Sequence, residues 1–471
     1  MFSKSFGCLL RQSFRLASSS SSSSLPPTTV EAFSSPTGTK RSSFDLQSTN
    51  AGIGKNDFSE RRYALAEKLA TQGPILGLPG LKSAAKKQDR EHLVIIPSAQ
   101  RRYMVDKIPY IFRQGTDFRY LTGSLSHNSA IVLKFNGNLE KFTTTLLLPE
   151  IDPREERWEG LQMRPDEACD VFGVDQAIHM DDLPIFLQSQ ISQSAKNLIL
   201  WYDYLNPLHT NLHRIVMRFV EGSNVVAQPV QSPRQAVQQL RLIKGPKEIE
   251  AMRKTAHIGA EAITETIRST ANHMSETQIF AKLDYESRMR HADFLAYPPV
   301  VASGDNANTI HYTRYSKDTM NINDLILVDC GCDYGGYASD ITRTWPISGK
   351  FETHQKLLYE AVLDIQLSLI EKLVNAAETE SVDKLYRSML NLLGEHLLDL
   401  GIITHEISRD EARLNAACSE FCPHHVSHYL GLDVHDTALI SRNIPLEEGM
   451  VITMEPGIYS KFYFSFILHC I

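Results

Sequence analysis

The chain has 471 residues, 42% of them hydrophobic, and a formal net charge of −7. This length predicts two domains with substantial cores, and the negative charge argues against general nucleic-acid binding. The sequence contains no long uncharged apolar run of the kind that forms a transmembrane helix. Its seven cysteines are irregularly spaced and do not predict a disulfide framework. We interpret the pairs Cys330/Cys332 and Cys418/Cys422 as reduced structural thiols rather than as a zinc–thiolate site.

Residues 1–55 differ in composition from the rest of the chain. They contain three basic residues before the first acidic residue, Glu31, and an unbroken serine run over 18–24. A basic, serine-rich and acid-poor leader is typical of a mitochondrial transit peptide, which a flexible linker would follow. We therefore predict a mitochondrial protein and leave open an additional cytoplasmic pool.

The segment 56–235 predicts an α/β domain, because short apolar strands are interleaved with helical segments. The predicted strands cover 93–97, 129–135, 143–148 and 198–202, and the predicted helices include 61–69 and 208–220. The acidic residues of this domain are scattered along the sequence. We expect them to lie on solvated faces rather than in a catalytic cluster.

The segment 245–459 predicts a second domain of mixed helices and strands, entered through a boundary within 232–246. Pro246 is expected to open an amphipathic helix, since proline is favoured in the first helical turn. Ser275 and Gln278 have the spacing of a capping box at the start of the next helix. Two later long helices are predicted at 353–376 and 381–400.

Within this domain, the stretch 325–346 predicts two strands joined by a tight turn. An apolar run of four residues ends at Asp329, and a second extended run carries Asp340. The turn contains three glycines: Gly331, Gly335 and Gly336. A hairpin would place the two aspartates side by side, where their like charges require a cation between them, and a divalent metal is the usual solution. The alternative is that both aspartates are turn residues that face water.

A second group of ligand-forming residues lies near the C-terminal end of the sequence. Four histidines occur within 423–436: His424, His425, His428 and His435. Glu455 follows at the end of an apolar strand. Carboxylates with one or two imidazoles suit Mn²⁺, Co²⁺ or Zn²⁺ better than a thiolate site would. Several carboxylates that can bridge indicate two ions about 3.5–4 Å apart, an arrangement used to activate hydroxide for hydrolysis.

Four of these residues occur in an order that resembles the metallopeptidases of the pita-bread fold: Asp329, Asp340, His428 and Glu455. The stretches SHYLGLDVHD (427–436) and MEPGIY (454–459) are most similar to the aminopeptidase P and prolidase members of that family. The stretch RQGTDFRYLTG (113–123) resembles the N-terminal domain of the aminopeptidase P branch. The resemblance implies an α/β N-terminal domain of the creatinase type, followed by an α+β pita-bread catalytic domain. It also implies a metalloaminopeptidase that releases the residue before a proline in the second position.

The resemblance assigns roles to individual residues. Asp329, Asp340, His428 and Glu455 match metal ligands, which implies two divalent ions, with Mn²⁺ expected. Four further residues match positions that line the substrate pocket: His311, His424, His435 and Tyr459. Of these, His424 and His435 are the expected catalytic residues. Peptides with proline in the second position are therefore the expected partners, and a homo-oligomer is left open.

The sequence departs from the family pattern after Glu455. Aminopeptidase P carries a further glutamate ligand with a neighbouring arginine on a later strand, whereas residues 456–471 contain no Asp, Glu or Arg. We expect residues 460–471 to be an atypical tail, and the catalytic domain to be incomplete, with one metal site weakened and activity reduced. The alternatives are a prolidase-like dipeptidase and an inactive form that acts only in binding.

Overall fold

The computed structural model describes residues 46–72, 90–193, 198–223, 226, 230–460 and 466–469. Most of the predicted leader therefore lies outside the described residues. Across these ranges, no helix combines the length and the apolar character needed to cross a membrane.

The N-terminal part, as far as residue 223, contains a sheet with helices on both sides. Its strands are β1 (Glu91–Pro97), β2 (Tyr103–Val105), β3 (Ile108–Pro109), β4 (Ala130–Asn136), β5 (Phe142–Leu148), β6 (Gln176–His179) and β7 (Leu198–Trp201). Its helices are α1 (Leu46–Thr49), α2 (Lys55–Gln72), α3 (Thr116–Thr122), α4 (Pro153–Glu159), α5 (Pro165–Phe172), α6 (Leu183–Gln193) and α7 (Thr210–Glu221).

Strand β1 is an interior strand of a five-stranded mixed sheet of order β6-β5-β4-β1-β7. It pairs antiparallel with β4 and parallel with β7, so that Val94 lies opposite both Leu133 and Trp201. Alternate β1 residues point to opposite faces, and both faces are buried. Val94 packs in a core with Phe58 of α2, whereas Ile95 packs in a second core with residues of α6 and α7. Burial on both faces explains the nearly continuous apolar run that predicted β1.

The C-terminal part combines long helices with short strands. Its helices are α8 (Arg234–Leu242), α9 (Pro246–Ser269), α10 (Glu276–Met289), α11 (Thr353–Ala376), α12 (Val382–Asp399), α13 (His405–Ser408) and α14 (Glu411–Phe421). Its strands are β8 (Phe294–Leu295), β9 (Val300–Ser303), β10 (Leu325–Cys330), β11 (Cys332–Tyr334), β12 (Tyr337–Ala338), β13 (Ile341–Pro346), β14 (Gly457–Ser460) and β15 (Phe466–His469).

Local signals for helix ends are confirmed in this part of the chain. Pro246 occupies the first turn of α9. Ser275 caps α10 as predicted: Gln278 N donates to Ser275 Oγ at 3.3 Å, and Ser275 N donates to Gln278 Oε1 at 2.9 Å. Helix α8 was not predicted, because it lies in the expected boundary region. It forms because its short segment is amphipathic. The buried face includes Val237 and Leu242, which pack in hydrophobic cores of the protein.

The stretch predicted as one hairpin contains two nested pairs of strands. Strand β10 lies between β13 and β9, and Asp329 is opposite Thr342. The short β11–β12 hairpin is inserted between β10 and β13, with a two-residue turn in which Gly335 and Gly336 have φ of 61° and 93°. Gly331 has a different role from the one predicted. A Cβ atom there would lie 1.8 Å from Ser339 O, so glycine is required for close backbone approach.

Candidate metal centre

Two extended segments that run antiparallel bring His428 and Glu455 together. Thr453 N donates to His428 O at 3.0 Å, and Glu455 N donates to Val426 O at 2.8 Å. These bonds align the two backbones in the way that strands are aligned, although the segments lie outside the named strands. The side chains of His428 and Glu455 consequently point to the same place.

Asp340 completes a cluster with these two residues. It lies immediately before β13, and its Oδ2 atom is 3.2 Å from His428 Nε2. Glu455 Oε1 lies 3.0 Å from the same nitrogen. The three side chains offer one ligand atom each, and all of these atoms lie within 4.8 Å of one another. The structure thus brings together three of the four residues predicted as metal ligands.

Backbone and hydroxyl contacts orient the cluster. His428 Nδ1 lies 3.0 Å from Tyr429 O, and a carbonyl can only accept, so Nδ1 carries a proton and Nε2 faces the carboxylates. Thr453 Oγ1 donates to Glu455 Oε1 at 2.5 Å and accepts from His428 N at 3.1 Å. A ligand histidine whose other nitrogen is held by a carbonyl is the usual arrangement in metal sites.

Asp329, the fourth predicted ligand, is joined to Asp340 by a tyrosine. The Tyr297 hydroxyl lies 2.6 Å from Asp329 Oδ1 and 2.7 Å from Asp340 Oδ1. Sequence analysis missed Tyr297, because its only signal is topological. It precedes β9, and β9 pairs with β10 so that Val300 lies opposite Asp329.

The electrostatics of the cluster reflect concentrated negative charge. Burial, together with the neighbouring Asp340 carboxylate, raises the pKa of Asp329. Burial alone would lower the pKa of His428, but hydrogen bonds to Asp340 and Glu455 outweigh it and raise the pKa to about 10. Carboxylates that favour a proton on an imidazole also favour a divalent cation in its place. Carboxylate and imidazole donors therefore fit a divalent metal ion at this position.

The two exposed histidines predicted to meet substrate lie beside the cluster. The rings of His428 and His435 are 4.6 Å apart and nearly perpendicular. Burial and the charge of His428 lower the pKa of His435, and the charge of His311 contributes to the same shift. His311 and His435 thus lie near one another and remain exposed.

His424 and Tyr459 form a separate wall near the cluster. Their rings meet edge to face with centroids 5.4 Å apart, and Tyr459 is buried. His425, which belongs to the same run of histidines, points elsewhere. Its ring stacks on Tyr386, and its Nε2 atom is 3.3 Å from Asp383.

Asp117 on α3 is an exception to the expectation that the acidic residues of the N-terminal part lie on solvated faces. Its carboxylate pairs with Arg241 at 2.7 Å. Arg241 is buried on α8 and also contacts Asp433 and Asp436, which flank His435 in sequence. The sequence could not predict this pairing, because the two residues lie in distant segments and no local pattern indicates that they meet.

Cys330, Cys332, Cys418 and Cys422 are free and buried, as expected for structural thiols. Cys332 Sγ lies 3.4 Å from Thr255 O, which is a packing contact inside the domain.

Comparison with known proteins identifies the class of this fold and site. The model of metallopeptidase family M24 matches residues 250–467, and that of the aminopeptidase P N-terminal domain matches residues 58–200. The chain therefore has the fold of an M24 metallopeptidase, and membership of this family implies divalent metal binding.

Individual relatives place the chain more narrowly. Xaa-Pro aminopeptidase 3 of Mus musculus is 39% identical over 381 residues, which cover 80% of this chain and 73% of the relative. Intermediate cleaving peptidase 55, mitochondrial, of Arabidopsis thaliana is 34% identical over 367 residues, which cover 78% of this chain and 69% of the relative. The structure of zinc-substituted aminopeptidase P of E. coli in complex with product has a TM-score of 0.73 and 27% identity, and the match covers 89% of this chain and 92% of that one. The chain therefore belongs to the Xaa-Pro aminopeptidases of family M24. The predicted creatinase-type and pita-bread fold class is confirmed.

Proposed function

We propose that the chain is a metal-dependent aminopeptidase that releases the N-terminal residue from peptides with proline in the second position. The observation that carries this proposal is the cluster of Asp340, His428 and Glu455 within an M24 fold. The names of the relatives support the Xaa-Pro specificity. Prolidase-like cleavage of dipeptides is the second candidate, supported by the likeness of 427–436 and 454–459 to that branch.

Asp329, Asp340, His428 and Glu455 would hold two divalent ions. Mn²⁺ is the proposed metal, because oxygen-rich donor sets with few imidazoles suit it. Divalent ions bound in such a set polarise the scissile carbonyl and lower the pKa of water for attack. The carboxylates of Asp329, Asp340 and Glu455 would offset the repulsion between the two cations.

The other residues of the site would bind and orient the peptide. His435 has a lowered pKa, so its neutral ring carries one N–H that can donate to the carbonyl oxygen of the scissile bond. The charge of His311 acts on His435, so His311 would contact the same end of the peptide. His424 and Tyr459 present ring surfaces that suit the flat, apolar ring of proline.

Location and assembly complete the proposal. The acid-poor leader and the mitochondrial name of the Arabidopsis relative support a mitochondrial protein with a transit peptide. The additional cytoplasmic pool has no comparable support. The homo-oligomer and the domain limits 56–235 and 245–459 stay predictions.

Matched peptides and variants test the proposal. The purified chain with Mn²⁺ should release the first residue from Xaa-Pro-Xaa tripeptides and leave Xaa-Ala-Xaa intact. His428→Ala should abolish turnover, whereas His425→Ala should retain it, since His425 points away from the cluster. Equal rates on both tripeptides would refute the specificity. Cleavage restricted to Xaa-Pro dipeptides would establish the prolidase-like alternative instead.

A further inference from the structure

The segment that carries His311 has little regular structure of its own. This His311 segment, residues 303–316, starts at the last residue of β9, contains a short 3₁₀ turn at Gly304–Asn308 and is otherwise irregular. His311 is exposed on it and lies near His435. Because irregular backbone has no ladder of hydrogen bonds, the position of His311 depends on contacts at the ends of the segment.

Both ends of the His311 segment are held by one carboxylate, that of Glu276. Its Oε1 atom accepts hydrogen bonds from Ser303 N at 2.7 Å, from Ser303 Oγ at 2.9 Å and from Asn306 Nδ2 at 2.9 Å. Its Oε2 atom accepts a hydrogen bond from Ser316 N at 2.7 Å. One side chain therefore joins the first and last residues of the segment.

The environment of Glu276 shows that this arrangement is specific. Glu276 is 0% exposed and is the first residue of α10, where a negative charge is favoured by the helix dipole. Three of the four hydrogen bonds reach Oε1 and one reaches Oε2, and the Tyr312 side chain also hydrogen-bonds to Glu276, so both oxygens of the carboxylate are occupied. Hydrogen bonds to a charged acceptor are stronger than neutral ones and offset the cost of burial.

Further contacts connect the same segment to the candidate substrate residues. Thr277, next to Glu276, donates through Oγ1 to Tyr315 O at 3.1 Å and to Ser316 O at 3.2 Å. On the other side, Tyr312 packs against a buried group that includes Tyr459. The His311 segment thus lies between the start of α10 and the pocket proposed for proline.

We propose that Glu276 is a positioning residue, which holds the His311 segment so that His311 can contact the peptide. The inference rests on the proposed function for its effect on turnover. The Glu276 carboxylate bonds to Ser303, Asn306 and Ser316, whereas the candidate metal ligands lie on other segments, so its loss should leave metal binding unchanged. The loss of Glu276 should instead weaken the interaction that His311 makes with the substrate.

Glu276→Gln is the primary test. The amide keeps the size of the side chain but replaces one acceptor oxygen with an NH₂ group, which would face a backbone N–H donor. We expect kcat/KM for an Xaa-Pro-Xaa tripeptide to fall about 100-fold, as for removal of one positioned donor at a reacting carbonyl. Glu250→Gln, an exposed glutamate on α9, is the matched control and should leave kcat/KM unchanged.

A double variant separates positioning from a general structural role. His311→Ala should lower kcat/KM to a similar extent, and Glu276→Gln combined with His311→Ala should be no worse than His311→Ala alone. Residues that act through one another show such non-additive effects. Multiplied effects in the double variant, or loss of bound Mn²⁺ in Glu276→Gln, would overturn the proposal. Asn306→Ala, which removes one donor, should give a smaller loss of the same kind if Glu276→Gln does not fold.

Hydrogen exchange supplies a readout that does not depend on activity. In Glu276→Gln, or in Asn306→Ala, amides of residues 303–316 should exchange faster, while those of β10 and β13 keep their protection. Unchanged exchange in the His311 segment would refute the positioning role even if the wild-type chain cleaves Xaa-Pro peptides. Faster exchange in a wild-type chain without Xaa-Pro activity would refute only the proposed function.

Discussion

Arg241 provides a quantitative test of how the N-terminal part is joined to the candidate site. Its guanidinium is 4% exposed and lies 2.7 Å from both Asp117 on α3 and Asp433, and it also contacts Asp436. Lys244 Nζ supports Asp436 from the other side at 3.1 Å. One arginine on α8 therefore neutralises three carboxylates from two separate segments, α3 and the loop that contains Asp433 and Asp436.

The expected cost of Arg241→Met follows from the burial of its partners. Removing one partner of a buried ion pair costs about 3–5 kcal/mol, because a buried charge is left without compensation. Asp436 is 0% exposed and keeps Lys244, whereas Asp117 and Asp433 are 21% and 31% exposed and can be partly solvated. We therefore expect a loss at the lower end of that range, about 3 kcal/mol in the free energy of unfolding.

Urea unfolding of Arg241→Met beside an exposed control checks this value. Arg268→Met removes a guanidinium that is 70% exposed and should change the free energy of unfolding by less than about 0.5 kcal/mol. Combining Arg241→Met with Asp117→Asn should cost less than the sum of the single variants, because the second change removes an unpaired carboxylate. A loss in Arg241→Met no larger than that of the control would refute the reasoning.

Three further predictions concern other parts of the chain. Gly331→Ala should destabilise the β10–β13 region, because its Cβ would meet a backbone oxygen at 1.8 Å, whereas Gly245→Ala has its nearest contact at 3.7 Å and should be tolerated; thermal unfolding of both compares them. Mn²⁺ at about 100 times its dissociation constant should stabilise the chain by about 2.7 kcal/mol, and persistence of this gain in His428→Ala would contradict the assigned cluster. Burial lowers the pKa of His92 from 6.5 to about 4. The folded protein then takes up the proton less readily than the unfolded chain, so a contribution of up to about 3 kcal/mol is present above pH 6.5 and is lost as the pH falls towards 4. His92→Gln should flatten this pH dependence in urea unfolding, and an unchanged slope would exclude His92 as its source.

The parts of the fold that sequence analysis predicted correctly are those encoded by short-range patterns. The apolar run over 93–97 predicted a buried strand, and β1 contains it. Ser275 and Gln278 predicted a helix start because a capping box requires only four consecutive residues. The α8 helix was missed, since proline and glycine at the ends of its segment were interpreted as a boundary.

The residues of the candidate site also fall into two groups, those that the sequence predicted and those that it did not. Asp340, His428 and Glu455 each follow a turn or an extended run, which made them candidate ligands, and the family resemblance predicted that they converge. Tyr297 and Glu276 were not predicted, because nothing in their neighbouring sequence distinguishes them from ordinary residues. Their roles arise from pairing with segments that are distant in the chain or reached only through a loop. Only the packed structure contains that information.

Two buried charges of opposite sign now explain how the exposed histidines of the site could keep their positions. A histidine that meets a substrate must leave its ring accessible, so its own packing cannot hold it in place. His435 directly precedes Asp436, which Arg241 holds, and His311 lies in a segment that Glu276 holds. Charged hydrogen bonds are directional, whereas apolar contacts are not, so they can fix a loop that contributes little to the core. A substitution outside the recognisable motifs should therefore lower turnover when it removes one of these charges, even though every metal ligand remains.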